Sequence, residues 1–217
     1  MKTGIWIQRL ATFALCLAAS VAIGCSSSGR ASESEQTIDS MKGLEAKLDQ
    51  AKSEVNESMA ALDGLSAGGD LQKSFSTYNK EVAQLEAAGK GAASRGQSMR
   101  EKREAYIAKW DAEVEQMQNA DVKASMQQRK KAVVENFDKL KASAEEVKGA
   151  YGPYLNDLKE IQKALSLDLS TGGVQALQPS IAKAKQNGQL LNQKIDAFGA
   201  QLKDVMAGSS PPSAPPK

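Results

Sequence analysis

The side chains of this sequence that could do chemistry are carboxylates, two cysteines and a few aromatics, because histidine is absent. Without histidine there is no imidazole base, no histidine-containing triad and no histidine-ligated metal. Two cysteines cannot supply an all-cysteine zinc site, which needs four, and cannot build a disulfide framework. The carboxylate pairs Glu145-Glu146 and Glu113/Glu115 read as solvated helical faces with no apolar pocket beside them. A catalytic carboxylate needs desolvation, which this pattern does not offer. Gly68-Gly69-Asp70 and Gly172-Gly173 are turn signals and lack the Lys-Ser/Thr ending of a phosphate loop. The expectation is a non-enzyme with no catalytic residue, no metal, no cofactor and no small-molecule substrate.

Cys25 is the exception, because its setting is specific. Lys2 and Arg9 precede a 14-residue apolar run, Leu10 to Ile23. That run is short for a membrane span and suits the core of a signal peptide. It ends in Ala22-Ile23-Gly24-Cys25, with Ser26-Ser27-Ser28-Gly29 behind it. Small residues before a cysteine resemble the lipobox of bacterial lipoproteins, with Ala22 in place of the more usual leucine. The resemblance implies cleavage before Cys25 and acylation of its thiol. Acyl burial contributes roughly 0.8 kcal/mol per CH2, and more than one chain makes anchoring durable. In a cell with an outer membrane, Ser26 behind the cysteine favours that membrane's periplasmic face.

Charge narrows the partners further. Lys plus Arg number 28 and Asp plus Glu 26, and loss of Lys2 and Arg9 leaves residues 25–217 neutral. A neutral chain has no general attraction for nucleic acid or for an anionic bilayer. The expected membrane contact is therefore the N-terminal lipid alone, with no nucleic-acid partner.

Positioning falls to helices. Residues 1–24 read as a lipoprotein signal peptide and 25–36 as a flexible tether. Residues 37–206 read as a coiled-coil bundle, and 207–217, with four of the six prolines, as a disordered tail. Glycine pairs at 68–69 and 172–173 and the Asn119-Ala120-Asp121 break divide the bundle into helices over about 37–65, 71–118, 122–168 and 174–206. The first carries Met41, Leu44, Leu48, Ala51, Val55, Met59, Leu62 and Leu65. In the second, spacing from Leu71 to Trp110 alternates between four and three, the 3.5 period of a coiled coil. The third repeats this across Pro153, which reads as a kink within one helix. Pro179 either begins the fourth helix or kinks its first turns. Gly89, Gly91 and Gly96 permit either close packing or a hinge.

Lengths suggest the arrangement. Two helices of nearly 50 residues, each roughly 70 Å, joined at Asn119 form an antiparallel hairpin. The two shorter helices fold back on its lower half. The fold class is therefore all-α, an elongated four-helix bundle with a two-helix arm over about residues 100–140. The arm's seam holds Tyr106, Trp110 and Met117, with Gln118 at its tip. These residues either pack on the third helix or bind a partner, since Trp and Tyr favour binding hot spots.

The pattern Tyr106-x-x-x-Trp110-x-x-Glu113, Phe137-x-x-Leu140, Pro153-Tyr154-Leu155-x-x-Leu158 and Leu165-x-Leu167 resembles an uncharacterised family of bacterial coiled-coil lipoproteins. That family comprises a domain of unknown function of about 200 residues, some of whose members carry a DNA-repair ATPase label. The absent phosphate loop contradicts such a label here, and the Pro/Ser tail and helix-two glycines depart from the family pattern. The function expected is that of a membrane-anchored extracytoplasmic lipoprotein, a structural or protein-interaction module with a protein partner at the arm. Its rivals are a periplasmic holdase for outer-membrane proteins and a cell-wall-binding spacer.

Overall fold

A computed structural model describes residues 27–209, with side chains placed for residues 36–207. Cys25 and the signal segment lie outside the described residues. Five helices pack against one another, and no strand occurs among the described residues. They are α1 (Ser27–Ser66), α2 (Leu71–Glu115), α3 (Ala120–Leu167), α4 (Thr171–Ala176) and α5 (Gln178–Ser209). The first three of the four breaks have a local cause. Gly68 and Gly69 adopt φ of 79° and 103°, a region costly for any residue with a Cβ. The Asp70 carboxylate caps α2 by accepting from the Lys73 amide at 3.0 Å. Asn119 Oδ1 accepts from the amides of Asp121 and Val122 and so starts α3. Ser170 does the same for the short α4, accepting from the Gly173 amide at 3.1 Å.

The core follows the heptads closely. Met41, Leu44, Leu48, Val55, Leu62 and Leu65 of α1 are buried with Tyr78, Val82 and Leu85 of α2. Phe137, Leu140, Tyr154, Leu158, Ile161 and Leu165 of α3 join the same cluster. So do Ile181, Leu191, Ile195, Phe198, Leu202 and Val205 of α5. One position corrects the expected seam. Alternation by three and four from Val55 lands on Ser58, which is fully buried, while Met59 is only half-buried. The Ser58 hydroxyl lies 2.8 Å from the Tyr154 hydroxyl and donates to the Val55 carbonyl at 2.9 Å. Tyr78 donates to the Leu158 carbonyl at 2.7 Å. Every buried hydroxyl in this layer therefore has a partner, as burial requires. Desolvation pushes the Tyr154 phenol up to about 12, against the opposing hydrogen bond from Ser58, and pushes Tyr78 up as well.

Three boundaries differ from the sequence expectation. The segment expected as a tether, 25–36, is helical from Ser27 onward, because after Gly29 it holds no helix breaker and several good helix formers, Ala31, Glu33, Glu35 and Gln36. The expected tail boundary at residue 207 falls inside α5, which runs on to Ser209. The expected helix at 174–206 is two helices, α4 and α5, separated at Leu177. Pro179 falls in the first turn of α5, where its missing N–H leaves no hydrogen bond unmade. Pro153 lies inside α3, which runs through it. Gly89 is a close approach, since a Cβ there would meet the Tyr151 ring, whereas Gly91 and Gly96 face open space.

Candidate functional site

The outer halves of α2 and α3 are packed less tightly than the rest. At their base, Arg103 pairs with Asp138 at 2.8 Å and sets its guanidinium 5.6 Å from the centre of the Phe137 ring. Below this level the cluster is continuous, whereas beyond it Val114 is the one buried hydrophobic among the described residues. Lys130 and Asp111 form a further ion pair between the two helices. Exposed pairs of this kind contribute about 0–1 kcal/mol each, far less than a buried aliphatic layer.

Tyr106 and Trp110 are one turn apart on α2 and meet edge to face, with ring centres 5.6 Å apart at 88°. That geometry sets the positive edge of one ring against the negative face of the other. The indole also borders a hollow of about 160 Å³ that includes Val114, Met117 and Met126, with Lys109 and Glu113 at its rim. Sequence reasoning thus placed Tyr106, Trp110 and Met117 on one surface, and the structure gathers all three. Met117 lies in the 116–119 connection, not on α2 as expected. Gln118 is exposed beside the hollow and donates to the Gln116 carbonyl at 3.4 Å. Val114 and Met126 were missed. The strict heptad phase from Trp110 points to residue 113 or 114, and Met126 lies beyond the turn, where phase restarts.

A second hollow of about 350 Å³ between the same helices sets Lys123, Lys130 and Lys131 against Asp111 and Glu115. Its charges nearly cancel, so it offers no anion cradle. No described helix is long and apolar enough to cross a membrane.

A family model described as "Protein of unknown function (DUF2959)" matches residues 31–204. The chain belongs to that family. The match covers most of α1 and all of α2, α3 and α4, and reaches Asp204 in α5. Tyr106, Trp110 and the core tyrosines Tyr78 and Tyr154 therefore all fall within the DUF2959 domain. No curated protein and no solved structure matches the chain.

Proposed function

We propose that this DUF2959 protein is a lipid-anchored extracytoplasmic lipoprotein, probing a protein partner through its α2–α3 arm and carrying out no catalysis. The observation that carries the reading is the aromatic hollow of Tyr106, Trp110, Val114, Met117 and Met126, set on the sparsely packed outer halves of α2 and α3. A hollow of this volume fits one apolar side chain, and its Lys109/Glu113 rim suits a polar surround. Anchorage is read from the Ala22-Ile23-Gly24-Cys25 sequence, with the outer membrane's periplasmic face as the address.

The finer architecture in this reading is an antiparallel coiled-coil hairpin of α2 and α3, with α1 and α5 packed on it. The order of cross-helix contacts supports it. Going up α2, Tyr78, Arg103 and Asp111 meet Leu158, Asp138 and Lys130, which descend along α3. Lys52, Lys185 and Lys203 likewise reach Asp196, Asp63 and Glu45 in opposed order along α1 and α5.

Anchor and arm then share one end of the molecule. Ser40 of α1 accepts from Lys102 of α2 at 2.9 Å, whereas Glu81, earlier in α2, neighbours Glu54, later in α1. From the Ser40–Lys102 contact, α1 runs back about 20 Å to Ser27 while α2 runs on about 20 Å to Glu115, in the same direction. A lipid on Cys25 would bring the arm close to the membrane, and the partner would be met there. The test is Cys25→Ala, scored by membrane fractionation and lipid labelling. Loss of the label with release from the membrane is expected; a labelled, processed Cys25→Ala chain contradicts the anchor.

A further inference from the structure

The α1–α2 seam contains a polar cluster unlike anything else in the described core. Glu54 and Glu57, one turn apart on α1, and Glu81 of α2 each bring a carboxylate oxygen to within 4.8 Å of the other two. Glu81 is only 7% exposed, the deepest charged group among the described residues. Its Oε2 is buried with no hydrogen-bond donor, and Glu54 Oε2 is in the same condition. Lys80 reaches the other oxygen, Glu81 Oε1, at 3.3 Å from a largely exposed position. Ser53 donates to Glu57 Oε1 at 3.0 Å and fixes that carboxylate. Burial, with Glu57 and Glu81 close by, pushes the Glu54 carboxyl above its ordinary range.

Three carboxylates against one ammonium leave an excess of two negative charges in a partly dry seam. A buried carboxylate oxygen without a donor is costly, and like charges at this separation repel. What fits is a ligand that supplies positive charge and accepts lone pairs. We propose that Glu54, Glu57 and Glu81 form a binding site for a hard divalent cation of the Ca2+ class, tying α1 to α2.

An all-oxygen, all-carboxylate donor set selects Ca2+, Mg2+ or Mn2+ over softer metals. Ca2+ holds oxygens at 2.3–2.6 Å, so opposing ligands stand up to about 5 Å apart, and the three carboxylate oxygens, all within 4.8 Å of one another, lie inside that limit. Water completes the shell on the Glu57 side, which is exposed. Gln84 Oε1, one turn along α2 from Glu81, is a further buried acceptor without a donor in the same stretch.

The test is thermal unfolding of the full-length chain in mild detergent, first freed of metal by a chelator, with CaCl2, MgCl2 or MnCl2 then added alone. With Ca2+ well above its dissociation constant, the midpoint should rise by about 5 °C or more and fall back on chelation. Glu81→Gln and Glu54→Gln, each verified as helical by circular dichroism, should weaken Ca2+ binding by titration calorimetry at least ~10-fold. No shift of the parent chain with any of the three salts overturns the site. So does an undiminished Ca2+ shift in both variants. A midpoint that rises on mild acidification, but with no cation, would mean a shared proton in place of the metal and also overturns it.

Discussion

The hydroxyls of Ser58 and Tyr154 lie 2.8 Å apart where α1 faces α3, at a layer that the heptad reserves for apolar side chains. The pair is satisfied because Ser58 also reaches the Val55 carbonyl, and Tyr154 approaches that same carbonyl at 3.4 Å. A polar pair at one layer favours one axial register over its neighbours, as a buried asparagine does in a coiled coil. Ser58→Ala and Tyr154→Phe should each cost about 1 kcal/mol in denaturant unfolding, with a coupling of similar size in the double variant. Strict additivity would mean that the contact does nothing for stability.

Gly188 and Gly91 should respond oppositely to alanine. A Cβ on Gly188 would come within 2.8 Å of Met59 Sδ and 3.0 Å of Tyr154 Cε2, so Gly188→Ala should cost about 1–3 kcal/mol. Gly91 has nothing within 4 Å, and Gly91→Ala should add about 0.5–1 kcal/mol through helix propensity. Urea midpoints measure both; equal signs would refute the packing at Gly188.

Alkaline pH should unfold the bundle. An acid whose folded pKa is raised holds its proton more tightly in the native state than in the unfolded chain. Stability is then complete below the unfolded tyrosine value of about 10 and falls as pH rises above it. Tyr154, raised to about 12, and Tyr78, raised further, both act in this sense. Unfolding free energy measured between pH 8 and 11 (from about two units below the unfolded tyrosine value to about one above it) should decline in the parent chain and decline less in Tyr154→Phe. A flat profile contradicts the burial of both phenols.

Limited proteolysis should cut first at 116–119, where Gln116, Gln118 and Asn119 are exposed and outside helix. Residues 149–155 should resist, since α3 is continuous across Pro153 and Tyr154 is buried. Early cutting at Pro153 with protection at Asn119 would divide α3 into two helices and contradict the proposed hairpin.

Much of this fold is legible in the sequence because the 3.5 period is written in large aliphatic side chains, as at Leu44, Leu48, Val55 and Leu62. Periodicity fails where the buried position holds a polar residue. Ser58 passes for a surface serine beside Met59, and Glu81 passes for solvated charge beside Val82. It also fails where stability is decided by helix propensity alone, as in residues 27–36, which carry no apolar period and are nevertheless helical. The α4–α5 division at Leu177 has no single strong signal, since Gly172-Gly173 and Pro179 bracket it without marking it. The arm aromatics were readable as a group; the hollow they form was not, because Met126 joins it across a turn.

The most direct test of the arm as a partner surface is photo-crosslinking in living cells from a probe at Gln118, repeated with Trp110→Ala. One discrete crosslinked partner in the membrane fraction, lost in Trp110→Ala at unchanged protein level, is the result this account predicts. A smear of many outer-membrane proteins, or a band indifferent to Trp110, would contradict it and favour a holdase.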